Sequence, residues 1–328
     1  MAAAPQAILD RDGVLPPGAG KATRASGAAL LEEWQRLTKA MSKTLHGDVR
    51  EEGWRARFLE EASALRALAG RDIDLALYSL LFASGHDECS YSVVHSMTCA
   101  VIVDLAGRWL DWSQPQLTSA VCAALSMNIG MTVRQDSLAQ QTAAPTSEQR
   151  DQIDRHATAG ADMLRDAGVD DEDWIYAVRH HHASSQEDDS DAAHPAARAT
   201  ELIRRIDVYT AKLSRRASRP AISPAIAARD ALLGPQGHPD HIGVTLLRVL
   251  GLYPPGTWVS LANGELAIVI HRGEKSHTPF VASVRTRDGG YLKQPTRRET
   301  TRREYRILHG IRAGEVKVDL DHARVLAA

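Results

Sequence analysis

The stretch Trp174-Ile175-Tyr176-Ala177-Val178-Arg179-His180-His181-His182 decides how the rest of the chain is read. Ile175, Val178 and Ala177 supply an apolar helical face, and Asp171, Glu172 and Asp173 stand at its start, where a helix dipole favours acids. The three histidines close the helix and, being consecutive, point in different directions. Two of them can reach a metal beyond the last turn. The competing reading is that imidazoles at a helix C-terminus cap exposed carbonyls. A histidine run alone favours capping, so the flanking sequence has to choose.

Towards the N-terminus, Thr146-Ser147-Glu148-Gln149 has the form of a capping box. The helix it opens carries Ile153, His156, Gly160, Met163 and Leu164 and ends at Gly168. Before it, a polar connection follows Met127-Asn128-Ile129-Gly130-Met131. Ser113 and Pro115 read as the cap and first-turn proline of a helix from Gln116 to about Ile129. That helix is apolar nearly all round, from Ala120 to Leu125, and is predicted to be the buried centre. A long helix from about Ser90 to Leu110 carries Tyr91, Val94, His95, Ala100, Val101 and Leu105. Three earlier helices have helical spacing suited to packing: Leu30 to Leu45, Trp54 to Leu68, and Ile73 to Leu81. Residues 1–26 read as a loose leader.

Towards the C-terminus, Ala183 to Asp191 is a hydrophilic, acidic loop. Helices follow from Pro195 through Leu213, after Ser223-Pro224, and from His241 to Leu250. At Pro254-Pro255-Gly256 the period changes from helical to alternating. Thr257 to Leu261, the turn Asn263-Gly264, and Leu266 to Ile270 spell a β-hairpin. Phe280 to Val284 and the turn Asp288-Gly289-Gly290 predict further strands in a small antiparallel or barrel-like module. Arg297, Arg298, Arg302 and Arg303 stand beside Glu299 and Glu304, a self-compensated surface rather than a nucleic-acid patch.

Composition sets the frame. The chain has 328 residues, 44% hydrophobic content and a formal net charge of -2. No basic excess calls for nucleic acid, and no apolar run is expected to reach spanning length, so no membrane partner is expected. Three cysteines, Cys89, Cys99 and Cys122, without CxxC spacing fit a reducing compartment. With no basic segment and apolar core at the N-terminus, a cytoplasmic protein is expected. Cys99 and Cys122 lie in apolar helices and read as core residues. No Gly-x-Ser-x-Gly elbow and no glycine-rich phosphate loop is present.

The order of these pieces resembles the HD-GYP family, helical metal-dependent phosphodiesterases that hydrolyse cyclic di-GMP. His95-Ser96 is similar to the family's early His-Ser, and Ala123-Ala124-Leu125-Ser126-Met127-Asn128-Ile129-Gly130-Met131 to its A-A-L-L-H-D-I-G-K. His156 and Gly160 match H-x-x-x-G, His181 and His182 the paired histidines, and Asp207-Val208-Tyr209 the D-V-Y. Arg216, Arg219-Pro220-Ala221 and Ser223-Pro224 resemble the segment after it, and Gly251 to Gly256 an extension found on many members. The resemblance implies a mainly α fold, an HD-domain-like helical bundle with a small C-terminal antiparallel β module. It divides the chain into N-terminal helices (27–88), an HD-like core (89–252) and the β-rich module (253–328).

The departures from the family pattern carry the functional reading. The His-Asp pair is Met127-Asn128, so a bridging carboxylate gives way to a neutral amide and an imidazole to a soft thioether. The lysine position is Met131, and the glutamate after the paired histidines is Ala183. Tyr91 stands where some members place a further metal-binding glutamate. The Gly-Tyr-Pro loop is replaced by Glu187 to Asp191, which would repel an anionic dinucleotide by about 1 kcal/mol per close pair even in water-like dielectric. No catalytic residue is therefore assigned. His156, His181, His182, Asp207 and His95 remain as residual ligands for no metal or for one divalent ion, zinc, iron, nickel or manganese.

Three functions compete on this basis. The first is a degenerate domain without cyclic di-GMP phosphodiesterase activity, serving as a regulatory or protein-interaction module with an unidentified protein partner or as a homodimer. The second is a single-metal phosphohydrolase using His156, His181, His182 and Asp207. The third is a non-hydrolysing cyclic di-GMP sensor, for which Arg216 and Arg219 are the candidate substrate-binding residues; the acidic loop disfavours it.

Overall fold

The computed structural model describes residues 24–85, 90–183, 194–234 and 237–328. The fold is mainly α with one small antiparallel sheet. The helices are α1 (Arg24–His46), α2 (Trp54–Arg71), α3 (Ile73–Ser84), α4 (Tyr91–Trp109), α5 (Gln114–Ser126), α6 (Thr132–Gln140), α7 (Ser147–Asp166), α8 (Glu172–His180), α9 (Ala197–Leu213), α10 (Pro224–Leu232) and α11 (His241–Leu250). Strands β1 (Trp258–Leu261), β2 (Leu266–His271), β3 (Phe280–Arg285), β4 (Tyr291–Glu299) and β5 (Ile307–Ile311) follow, and α12 (His322–Leu326) ends the chain.

The centre of the bundle is the α4–α5 pair. Val93, Met97 and Ala100 to Val103 of α4 and Val121 to Leu125 of α5 have almost no exposed surface. A helix apolar on every side can only be stable inside others, and α2, α8 and α9 pack around this pair. Trp54, Phe58 and Trp174 stack at centroid distances of 5.1 and 5.2 Å, joining the N-terminal helices to α8. The predicted capping box of Thr146 with Gln149 forms, and the predicted Ser113 cap also makes a full box with Gln116. Asp171 caps α8 by accepting from the Trp174 backbone N–H and also accepts from Ser119 Oγ on α5.

Four expectations are corrected. α1 already includes Arg24, so residues 24–26, read as part of the leader, are helical; residues 1–23 lie outside the described residues. The helix expected to end at Ile129 ends at Ser126, and a single 3-10 turn (Ile129–Met131) follows. The polar connection contains α6, whose few apolar residues (Val133 is 64% exposed) gave no periodic signal. Finally, Gln114–Gln140 does reach spanning length with an apolar composition, although 72% of its most apolar window is buried within the bundle. The acidic loop from Glu187 to Asp191 lies outside the described residues.

The five strands form one sheet in the order β4-β3-β2-β1-β5, every pair antiparallel. Gly264 (φ 87°) and Gly289 (φ 82°) supply the left-handed turn positions that the sequence signals require. Alternation along the strands buries both faces. Trp258, Ile268, Ile270 and Ala282 pack on Tyr78 and Phe82 of α3, while Val259, Ala267, Val269 and Val281 pack on Tyr253 and Ala225. Asp74 of α3, almost fully buried, accepts from Arg272 Nε at 2.5 Å and fixes the sheet to the helices.

Candidate metal centre

Four helices bring five of the sequence-selected residues together. His95 lies in the second turn of α4, His156 in the middle of α7, His181 and His182 just past α8, and Asp207 in the middle of α9. They fall into two groups, His156–His181–His182 and His95–Cys99–Asp207. Asp207 couples the groups electrostatically, since its charge acts on His156 and His181.

The first group is organised by backbone carbonyls. His181 Nδ1 donates to Val178 O at 2.7 Å and His156 Nδ1 donates to Ile153 O. A carbonyl oxygen has only lone pairs, so each ring carries its proton on Nδ1 and leaves Nε2 bare. The bare Nε2 atoms of His156 and His181 stand 3.2 Å apart, and His182 Nε2 lies 3.3 Å from His156 Nε2. Acceptor facing acceptor is repulsive without a positive charge between them. Tetrahedral ligands on a cation with metal–nitrogen bonds of about 2.0 Å are separated by about 3.3 Å, so the spacing fits a metal. Capping and metal binding, rivals in the sequence, are compatible here: Nδ1 caps the carbonyl and thereby orients Nε2, as a ligand's outer partner does.

Electrostatics agree with this arrangement. Burial depresses the His156 pKa and, reinforced by the charge of His182, pushes His181 down to about 3. Both rings are therefore neutral near pH 7, as ligation requires. His156 and His181 are buried and His182 is exposed, so the group opens to solvent on one side. His180 is not part of it; its ring stacks on Tyr176, which in turn stacks on His194 at 3.7 Å.

The second group satisfies itself. His95 Nε2 meets Asp207 Oδ1 at 2.7 Å. Burial opposes charge on His95, but Cys99, Tyr91 and the hydrogen bond to Asp207 outweigh it and raise its pKa well above the ordinary value. For Asp207, burial acts upward, yet His95 and then His181 and His182 hold the carboxyl down at about 2. Tyr91 stacks on His95 at 5.5 Å, and the Arg216 guanidinium lies 4.8 Å over the Tyr91 ring and donates to its hydroxyl. Arg219 is exposed and donates to the Ala211 carbonyl. Neither arginine needs a ligand to be paired.

Met127 and Asn128 are buried at the end of α5, where the chain enters the 3-10 turn. That turn lies against α7 at the histidine group: a Cβ on Gly130 would stand 2.5 Å from His156 O and 2.9 Å from Gly160 N, and one on Gly160 would meet Ile129 and Gly130. The glycine four residues after His156 is thus a contact requirement between two backbones. Cys99, read from the sequence as core, is fully buried in the central cluster, and its Sγ also lies 3.8 Å from His95 Nε2. Its position one helical turn after His95 was the available signal.

No family model matches the chain, and no solved structure matches it. The chain is 29% identical over 216 residues to a cyclic di-GMP phosphodiesterase of Pseudomonas aeruginosa, an alignment covering 63% of this chain and 50% of that protein. It thus spans about half the length of the curated relative it matches.

Proposed function

We propose that this chain is a degenerate, HD-GYP-like cytoplasmic domain that holds one divalent cation on His156, His181 and His182 and acts as a regulatory or protein-interaction module in signalling rather than as a two-metal phosphodiesterase. The observation that carries the metal is the convergence of three Nε2 atoms, two of them fixed as acceptors by backbone carbonyls. The chemistry at 127 and 128 supports the loss of two-metal hydrolysis. That reaction needs a negatively charged bridge between cations about 3.5–4 Å apart, and here a thioether and a neutral amide occupy those positions. The likeness to a cyclic di-GMP phosphodiesterase makes cyclic di-GMP the first substrate to test.

Protein stripped with chelator and reloaded with manganese or iron should retain about one cation and leave cyclic di-GMP intact. Linearisation of the dinucleotide at a useful rate, abolished by His156→Ala, overturns the proposal. The paired substitution Met127→His with Asn128→Asp should raise the metal content, because it supplies the missing imidazole and bridging carboxylate.

The exposed side of His182 favours a second reading, a single-metal phosphohydrolase with a water on the open position. A bound cation supplies that chemistry by lowering the pKa of its water to about 7. Screening phosphomonoesters and diesters with the zinc- and manganese-loaded protein separates the readings. A sensor that binds cyclic di-GMP without cleaving it receives less support, since Arg216 is engaged with Tyr91 and Arg219 with Ala211.

A further inference from the structure

We infer that Cys99 is a metal ligand: His95 Nε2, Cys99 Sγ and Asp207 Oδ1 form a second, thiolate-bearing cation position that selects zinc over manganese or magnesium. The inference extends the metal site proposed on the histidine triad but does not require that triad to be occupied.

Geometry gives the first support. Cys99 follows His95 by four residues on α4, so both side chains face α9, and all three donor atoms lie within 4.8 Å of one another. With Zn–S near 2.3 Å and Zn–N near 2.0 Å, a tetrahedral S···N separation is about 3.5 Å; here it is 3.8 Å. His95 Nε2 and Asp207 Oδ1, 2.7 Å apart around a shared proton, need to open by only about half an ångström to admit the ion.

Charge gives the second. A thiolate and a carboxylate cancel a dication, so the closed pocket around His95 and Cys99, 2% and 0% exposed, holds no net charge once filled. Binding is a balanced exchange. The ion takes the lone pairs of Sγ, Nε2 and Oδ1, and solvent receives the thiol proton and the proton shared by His95 and Asp207.

Thr210 gives the third. Metallation of Nε2 leaves His95 with its proton on Nδ1, which then needs an acceptor. Thr210 Oγ1 lies 3.4 Å from that nitrogen, and its own hydrogen is directed to the Ile206 carbonyl at 2.9 Å, so an oxygen lone pair is free to accept. The same oxygen is 3.2 Å from Cys99 Sγ. A cysteine that merely fills the core needs none of these partners. The thiolate sets the preference, because soft sulfur favours zinc or cobalt and discriminates against manganese and magnesium.

Cobalt substitution of the chelator-stripped full chain reads the two positions separately. The wild-type protein is expected to take up about two equivalents and to show a near-ultraviolet thiolate-to-cobalt charge-transfer band that strengthens with pH. Cys99→Ser should abolish the band and lower the content to about one equivalent, and Cys122→Ser should leave the band intact. His181→Ala should keep the band while removing the cobalt bound by the triad. Absence of the band in wild type, which requires no variant to fold, overturns the inference, as does its survival in Cys99→Ser. A band retained together with unchanged uptake in His181→Ala refutes the triad reading alone.

Discussion

Two histidine clusters are built side by side from the same kinds of residue and reach opposite solutions. In the triad, carbonyls hold the Nδ1 protons, so the Nε2 lone pairs confront one another, a repulsion that a cation would relieve. In the His95–Asp207 cluster of the metal-free chain a carboxylate receives Nε2, a shared proton holds the place a cation would take, and Tyr91 with Arg216 closes the stack. The difference shows that residue type does not determine how a cluster rests without metal. The partner that each ring nitrogen meets does.

The largest expected effect tests whether the second cluster is closed by charge. Asp207→Ala leaves His95, 1% exposed at the side chain, without the carboxylate that its Nε2 meets. Breaking a buried pair costs about 3–5 kcal/mol, and the 17% exposure of Asp207 places this case near 3. Denaturant unfolding of the metal-free protein measures it. A loss below about 1 kcal/mol would mean that the cluster is held by packing, as for a surface pair.

Acid should affect the triad next. In the metal-free chain the folded-state pKa of His181 is about 3, below the ordinary value of 6.5, so below pH 6.5 the unfolded chain binds more protons. Stability is therefore complete above pH 6.5 and falls as the pH drops towards 3, by about 3 kcal/mol at pH 4 at 1.36 kcal/mol per unit. His95 has the opposite sign. Its raised pKa contributes stability below its ordinary value, and that part is lost as the pH rises through the folded-state pKa. Asp207 contributes above the ordinary carboxylate range and loses that contribution as the pH falls towards 2. A pH series of unfolding curves on His181→Gln should shrink the acid limb to the part that the depressed pKa of His156 contributes and leave the other two.

These contrasts also show where sequence reading reaches its limit. Helical and alternating periodicity located the bundle and the first hairpin, because burial on one face leaves a repeating imprint. The same signal could not locate α6, whose buried residues Thr132, Gln135 and Ala139 are mostly polar, or β4, an edge strand of Tyr291-Leu292-Lys293-Gln294-Pro295-Thr296-Arg297-Arg298-Glu299 with little apolar alternation. His156, His181 and His182 were legible as a group, while their tautomers were not, since these depend on the Ile153 and Val178 carbonyls of the preceding turn. Cys99 was legible as a core residue, while its contacts with His95 and Thr210 were not, because nothing in an apolar helix distinguishes a thiol that only fills space from one that also meets polar partners.

A smaller effect should follow from moving the backbone that supports the triad. Gly130→Ala places a methyl against His156 O and Gly160 N, neither of which can rotate away. Overpacking of this kind costs about 1–3 kcal/mol. Because the strain falls on the carbonyl-bearing turn of α7, zinc affinity of the triad should fall with it, while the cobalt–thiolate band of the neighbouring cluster persists. Equal loss at both clusters would show that they are one mechanical unit.

The smallest effect concerns the stack that closes the second cluster. Arg216 contributes a cation–π contact and a hydrogen bond to the Tyr91 hydroxyl, and Tyr91 presents its other face to His95. At a partly exposed site these are together worth about 1 kcal/mol. Arg216→Ala should cost that much in the metal-free protein and leave cation uptake by His156, His181 and His182 unchanged, because no bond links Arg216 to the triad. Weaker uptake there, measured by calorimetric titration with zinc, would mean that the stacked column also positions Asp207 for the triad, and the division into an open and a closed cluster would have to be redrawn through the carboxylate they share.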